Sequence, residues 1–158
     1  MLTARQTGDL DACVAVLAAV HAADGYPALW PADPHRWLTP RELVGAWVAK
    51  RAGEVVGHVC LCRAEEGASA VIWSAASGLP VGRLGAVSRL FVAPTARRQG
   101  LGERLLLAAC DEARRLGRHP VLEVLRQDRA AAALYERLGW RRVGPLDAEL
   151  RWYVAPLR

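Results

Sequence analysis

The chain has 158 residues, 53% of them hydrophobic and 23% charged, which predicts one folded domain over residues 1–158 and argues against disorder. Its formal net charge is +5, and every basic residue except Lys50 is an arginine. This charge is scattered rather than gathered in a stripe with aromatic residues, so we expect an anionic small ligand and no nucleic acid.

The sequence has no apolar run of transmembrane length, and residues 1–9 lack the basic-then-apolar pattern of a secretory signal. We therefore expect a cytoplasmic protein with no membrane partner. The cysteines form no Cys-x-x-Cys pair; they are Cys13, Cys60, Cys62 and Cys110. We expect all of them to be reduced core residues, with no metal site.

The chain begins with a predicted strand and helix. Residues 2–6 favour a strand, and Thr7 or Asp9 caps the helix that follows. Apolar residues recur along that helix at three- and four-residue steps, at Leu10, Cys13, Val14, Leu17 and Val20. This spacing predicts one buried helical face.

Residues 21–37 favour an irregular loop, since they contain three prolines. Two tryptophans, a tyrosine, two histidines and two aspartates share this segment. Such residues in a loop predict a binding surface. The alternative is that Trp30 and Trp37 only pack the loop onto the sheet.

The next region predicts a helix and a hairpin. Thr39 and Pro40 resemble the first residues of a short second helix. Residues 47–51 and 54–63 alternate in polarity on either side of Ala-Gly, as in a hairpin. His58 lies in this hairpin, where it is either a base or a structural histidine.

A strand is predicted over residues 69–75 and a glycine- and proline-rich loop over residues 77–85. Residues 90–92 then favour a strand that Pro94 stops. The helix that follows ends at Gly117. Its apolar face consists of Leu106, Ala109, Cys110, Ala113 and Leu116.

The junction between that strand and helix favours an anion. A helix start carries unpaired N–H groups and a partial positive charge. Gly100 and Gly102 leave those groups accessible, and Arg97 and Arg98 add full charge beside them. These features predict a phosphate or pyrophosphate site. The alternative is a tight turn without a ligand.

The last third of the chain predicts a strand, a helix and a closing hairpin. Residues 120–125 read as a buried strand, and Glu123 within it is costly unless it is paired or catalytic. Asp128 caps a helix whose apolar face is Ala131, Leu134, Tyr135 and Leu138. Residues 140–143 and 150–154 favour the final two strands.

Two segments resemble the motifs of one family. Residues 90–94 (LFVAP) followed by residues 97–102 (RRQGLG) resemble motif A of the GNAT family of N-acetyltransferases. Motif B of that family resembles Asp128-x-x-Ala131-x-x-Leu134-Tyr135-x-x-x-Gly139-Trp140. The resemblance implies an α/β fold with a mixed, twisted, mostly antiparallel sheet, helices on both faces and a splayed parallel strand pair.

The resemblance also implies a site for acetyl-CoA, the co-substrate of the family. The implied cofactor-binding residues are Leu90, Phe91, Val92, Arg97, Arg98, Gln99, Gly100, Leu101, Gly102, Glu103, Asp128 and Tyr135. Asp128 replaces the asparagine usual at its position, so a direct contact with the cofactor would lose an amide donor and gain a negative charge. A backbone N–H within residues 90–92 is the expected donor to the oxyanion.

Two residues are the implied catalytic pair. Tyr135 matches the family tyrosine that protonates the leaving sulfur, and its alternative is a core tyrosine. Glu123 resembles the base of the ribosomal-protein N-terminal acetyltransferases, and its alternative is a salt bridge to an arginine. In this family the region after the first helix commonly helps to form the acceptor pocket. The expected contacts there are Asp24, Tyr26, Trp30 and His35.

The predicted function is transfer of the acetyl group of acetyl-CoA to a primary amine of a small molecule, by direct attack in a ternary complex. The alternatives are acetylation of a protein or peptide N-terminus, and a non-catalytic module that binds acetyl-CoA. A homodimer is left open.

Overall fold

A computed structural model of the protein describes residues 1–157. The strands are Leu2–Ala4 (β1), Leu43–Arg51 (β2), Glu54–Arg63 (β3), Leu84–Val92 (β4), His119–Leu125 (β5), Arg141–Val143 (β6) and Leu150–Val154 (β7). The α-helices are Leu10–Asp24 (α1), Pro34–Trp37 (α2), Ala68–Ser77 (α3), Leu101–Arg115 (α4) and Arg129–Arg137 (α5). Short 3-10 turns cover Thr7–Asp9, Val81–Arg83 and Pro94–Ala96.

The strands form one sheet in the order β1-β2-β3-β4-β5-β7-β6. Neighbouring strands are antiparallel except β4 and β5, which pair in parallel through residues 84–86 and 119–121. This parallel ladder covers the N-terminal ends of both strands. The predicted mixed, mostly antiparallel sheet with one parallel pair is therefore confirmed.

The chain divides into two compact units. Unit 1 consists of Met1–Cys62 and Arg89–Ala109. Unit 2 consists of Arg63–Ser88 and the chain from Cys110 onward. The assignment of residues 1–158 to a single domain stays a prediction.

The core of unit 1 forms where α1 packs on the sheet. Its buried members are Cys13, Leu17, Val20, Leu38, Val48 and Phe91. The predicted apolar face of α1 is thus confirmed at Cys13, Leu17 and Val20. The second helix was predicted wrongly, because Leu43 N–H donates to Pro40 O in a turn that leads into β2. The short helix lies earlier, at Pro34–Trp37, where the Asp33 side chain caps it.

The strand predicted over residues 69–75 is wrong, because α3 occupies this region. Val71 and Ile72 favour a strand locally, but Ala70 and Trp73 are buried at a helical three-residue spacing. Gly78 ends the helix in a left-handed conformation, and its N–H donates to Ser74 O. The helix packs against β6 and β7 in unit 2, and this tertiary packing outweighs the local strand preference.

All four cysteines are buried and free. Burial raises the pKa of Cys13 to about 11 and that of Cys60 to about 12, so both thiols stay protonated at neutral pH. Among the described residues, no group of His, Cys, Asp and Glu side chains could hold a metal ion.

His58 is a buried structural residue of unit 1. Its Nδ1–H donates to Arg89 O at 2.9 Å, and its Nε2 accepts from Arg5 Nη1 at 2.8 Å. Because a guanidinium can only donate, this arrangement requires a neutral imidazole. Burial, with a smaller contribution from the charges of Arg5 and Arg89, lowers the pKa of His58 to about 4.

His58 should make the stability of the protein depend on pH between about 6.5 and 4. The unfolded chain takes up the proton near the ordinary value of 6.5, whereas the folded chain resists it until about 4. Stability from this group is therefore complete above pH 6.5 and is lost as the pH falls, by roughly 3 kcal/mol in all. Urea melts of the native protein and of His58→Gln from pH 7 to pH 4.5 should show a clearly shallower slope for the variant. Equal slopes would contradict this assignment.

Candidate active site

The predicted phosphate loop of unit 1 joins the end of β4 to α4. Arg98 has φ 63° and Gly100 has φ 73°, so the backbone turns through the left-handed region twice. A glycine at position 100 carries this turn without steric cost. A Cβ added to Gly100 would meet no atom within 4 Å, so the space in front of this backbone is open.

The loop ends at an accessible helix N-terminus. The first bond of the α4 ladder joins Arg104 N–H to Gly100 O at 3.1 Å. The amides of Leu101 and Gly102 precede that ladder and belong to the set that a helix leaves for other acceptors. Since Arg97 and Arg98 are exposed beside them, these residues fit a pyrophosphate group.

Arg97 has two partners within unit 1. Its Nε and Nη2 each donate to Val92 O at 3.3 Å. Its Nη2 also forms an ion pair with Asp24 Oδ2 at 2.5 Å, and both side chains are about two-fifths exposed. The structure thus brings together a residue predicted to bind the cofactor and one predicted to bind the acceptor.

The other predicted acceptor residues have different surroundings. Tyr26 packs against the core of unit 1, with its ring 6.2 Å from that of Trp37. Trp30 is 40% exposed, and its ring lies 5.4 Å from that of His21. His35 Nε2 is 2.6 Å from Asp11 Oδ1. The ring of Trp30 is therefore partly open to solvent, whereas Tyr26 fixes the loop, and their contact with an acceptor stays a prediction.

Arg89 is a feature of unit 1 that sequence reasoning missed. It adopts φ 49° inside β4, in the left-handed region that non-glycine residues rarely occupy. Its Nε donates to Trp37 O at 2.9 Å, and its guanidinium carbon lies 4.5 Å from the centre of the Trp37 ring. The backbone of β4 therefore turns immediately before residues 90–92, the segment expected to meet the thioester.

Glu123 lies on β5 in unit 2 and is exposed. The prediction that Glu123 is buried is wrong, because residues 123–125 of β5 are more exposed to solvent than residues 120–122. Glu123 Oε2 accepts a hydrogen bond from the Ser69 hydroxyl at 2.6 Å, so its partner is a serine rather than an arginine. An exposed carboxylate held at one oxygen can still receive a proton from a substrate.

Tyr135 is buried on α5, where its ring lies 5.6 Å from that of Tyr153 and 5.9 Å from that of Trp140. In the β5–β7 ladder, Leu122 is opposite Tyr153 and Glu123 is opposite Trp152. Side chains alternate between the two faces of a strand. Tyr135 therefore lies on the face that carries Tyr153, and Glu123 points to the other face.

Asp128 is the N-cap of α5. Its Oδ1 accepts from Ala131 N–H at 3.2 Å, which confirms the predicted cap. This oxygen is engaged by the helix. The contact of Asp128 with the cofactor stays a prediction.

The sequence model of the Acetyltransferase (GNAT) family matches residues 16–140. The chain belongs to this family. Membership confirms the resemblance seen in motifs A and B, and the predicted enzyme class with it: an N-acetyltransferase that uses acetyl-CoA as co-substrate.

Solved structures agree with this GNAT fold over nearly the whole chain. A GNAT acetyltransferase from Staphylococcus aureus is 14% identical, with a TM-score of 0.74 and coverage of 100% of this chain and 99% of that one. The ribosomal-protein-alanine N-acetyltransferase of Brucella melitensis is 21% identical, with a TM-score of 0.69 and coverage of 98% and 96%. The yncA protein of Salmonella typhimurium, solved with its cofactor acetyl-CoA, is 21% identical, with a TM-score of 0.66 and coverage of 98% and 90%.

At these identities the neighbours share the fold and say nothing of the acceptor. No curated protein matches the chain in sequence. Over the described residues, every helix is too short or too polar to span a membrane.

The ion pair between Asp24 and Arg97 leads to a test of cofactor affinity. We expect Asp24→Asn to bind acetyl-CoA about two- to fivefold more tightly, because it removes a negative charge that competes with the pyrophosphate for Arg97. Arg97→Gln should weaken binding. Asp11→Asn is the matched control, since it removes the same charge from the pair with His35, and should leave the affinity unchanged. Isothermal titration calorimetry gives all three values, and weaker binding by Asp24→Asn would show that Asp24 supports Arg97 instead of competing with the ligand.

Proposed function

We propose that this GNAT enzyme transfers the acetyl group of acetyl-CoA to a primary amine of a small molecule, by direct attack in a ternary complex. The observation that carries the proposal is the arrangement around β5, where an exposed carboxylate and a buried tyrosine belong to opposite faces of the sheet. Direct transfer needs a base on the side of the amine and an acid on the side of the leaving sulfur. Glu123 and Tyr135 suit these two roles.

Each residue then has one step. Glu123 removes a proton from the ammonium group of the acceptor, so that the neutral nitrogen can attack the thioester carbon. A backbone N–H of residues 90–92 donates to the oxyanion as the new C–N bond forms. Tyr135 gives its hydroxyl proton to the sulfur as the C–S bond breaks. The new amide nitrogen loses its remaining extra proton to solvent, and solvent returns a proton to Tyr135 and takes the one held by Glu123.

The loop of unit 1 supplies the binding energy for the nucleotide end of acetyl-CoA in this proposal. The amides at the start of α4 are donors for the pyrophosphate, and the guanidinium groups of Arg97 and Arg98 add positive charge beside them. Gly100 keeps the approach to them open. Asp128 has no assigned step beyond capping α5.

The position of α3 favours a small acceptor. This helix packs on the face of β5 and β7 that carries Glu123, and Ser69 in its first turn contacts the carboxylate. An extended peptide laid along that face of β5 would meet α3, whereas a compact amine needs to reach only the exposed part of Glu123. As the proposed aromatic contact of the acceptor, the exposed ring of Trp30 favours an acceptor with an apolar or aromatic portion.

A peptide N-terminus is the second candidate acceptor, and one observation supports it. The run Leu122-Glu123-Val124 with Asp128 resembles the ribosomal-protein N-terminal acetyltransferases, and a protein of that name from Brucella melitensis has the same fold.

An acceptor panel separates the two candidates. Release of free coenzyme A would be followed with phenethylamine, spermidine, glycine and a hexapeptide that begins with alanine. We expect turnover with a small amine, and phenethylamine to be the fastest. Faster turnover of the hexapeptide would select the second candidate, and the absence of turnover with every amine would contradict the proposed activity.

The role of Tyr135 leads to a kinetic prediction. Tyr135→Phe should lower kcat by about tenfold to a thousandfold, because a positioned general acid contributes on this order. Its affinity for acetyl-CoA should change little, since the hydroxyl acts mainly as charge develops on sulfur.

Tyr153→Phe is the matched control, because Tyr153 lies on the same face and donates its hydroxyl proton to Glu136 Oε2 at 2.6 Å. This variant should lose about 1 kcal/mol of stability with the hydrogen bond and keep its kcat. Stopped-time assays measure kcat, and thermal melts measure stability, for both variants. A fully active Tyr135→Phe protein would make Tyr135 a packing residue.

A further inference from the structure

Three side chains of unit 2 form a chain of hydrogen bonds that ends on Glu123. Trp152 Nε1–H donates to Ser69 Oγ at 3.0 Å, and the Ser69 hydroxyl donates to Glu123 Oε2 at 2.6 Å. Trp152 is also the cross-strand partner of Glu123 in the β5–β7 ladder. The second bond has the short length of a hydroxyl donating to a carboxylate oxygen.

Trp152 fixes the direction of both hydrogen bonds. An indole N–H can only donate, so Trp152 occupies a lone pair of Ser69 Oγ. The serine proton is then directed to Glu123, and the carboxylate is held through Oε2. The other oxygen, Oε1, is left as the one to take the proton of an acceptor.

Buried tryptophans hold the first turn of α3 against the sheet. Trp73, one turn after Ser69, is buried and donates from Nε1 to Leu122 O at 3.2 Å. Trp152 is buried too, and a Cβ on Gly144 would lie only 3.1 Å from its ring. Ser69 is therefore presented to β5 from a packed helix rather than from a mobile loop.

We propose that Ser69, held by Trp152, is a positioning residue that aims the carboxylate of Glu123 at the acceptor amine. The inference rests on the proposed function of Glu123 as the base. Glu123 is exposed, and an exposed glutamate alone would sample several rotamers. Since catalysis depends steeply on the placement of reacting groups, one fixed rotamer raises the rate of proton removal.

The test uses the full chain, saturating acetyl-CoA and the panel amine that the native protein acetylates fastest. Ser69→Ala should lower kcat/KM for that amine about tenfold to a hundredfold. Ser69→Thr keeps a hydroxyl and should restore most of the rate. Ser74→Ala is the matched control on α3, because Ser74 Oγ is buried and has no hydrogen-bond partner within the described residues. It should leave kcat/KM unchanged.

A double variant shows whether Ser69 acts through Glu123. In a Glu123→Gln background, Ser69→Ala should cost less than a further twofold, since residues that act as a unit are not additive. Nuclear magnetic resonance gives a second readout. The indole N–H of Trp152, assigned by its loss in Trp152→Phe, should shift and exchange faster in Ser69→Ala, while the melting temperature stays close to that of Ser74→Ala.

The possible failures are distinguishable. Native activity in Glu123→Gln, or no turnover of any amine by the native protein, would overturn the proposed base and this inference with it. A slow Glu123→Gln protein beside a fully active Ser69→Ala protein would overturn the inference alone. A Ser69→Ala protein that melts early, binds both substrates more weakly and is not restored by threonine would make Ser69 a structural residue.

Discussion

The left-handed backbone of Arg89 is the constraint on which the arrangement of unit 1 depends. A non-glycine residue in this conformation costs about 1–2 kcal/mol, so the surroundings must hold it. Trp37 does so by accepting a hydrogen bond from the guanidinium group and lying beneath it, and His58 does so by donating to the Arg89 carbonyl. The loop after α1, the hairpin of β2 and β3, and β4 thus meet at one residue.

The same constraint explains why His58 is buried without being a base. Both of its nitrogens are occupied, one by the Arg89 carbonyl and one by Arg5. Phe91 stacks on the imidazole at 5.0 Å, which closes it from water. A proton acceptor that is fully engaged in holding the backbone has no lone pair left for a substrate.

The strand–loop–helix from β4 to α4 could be predicted from the sequence because its local signals agree. Pro94 stops the strand, Gly100 permits a left-handed turn, and Gly117 ends the helix region with φ 73°. Asp128 was likewise identifiable as an N-cap from its place before an apolar helical face. The enzyme class followed because these local signals coincide with family motifs.

Other features depend on contacts that no short segment encodes. Val71 and Ile72 favour a strand, yet packing on β6 and β7 makes their segment a helix. Glu123 appears buried among apolar neighbours, although only the N-terminal half of β5 is covered. Nothing local marks Arg89 as left-handed or Ser69 as the partner of Glu123, because both depend on residues far away in the chain.

Gly144 limits how unit 2 of this enzyme can be changed. It lies between β6 and β7 with φ 81°, and a methyl group there would come within 2.9 Å of Ile72 and 3.1 Å of Trp152. This turn therefore leaves no room for a side chain between α3 and Trp152. Exchanging α3 for a helix of another shape therefore requires a matching change in the β6–β7 hairpin, because the two elements leave no room for a side chain at position 144.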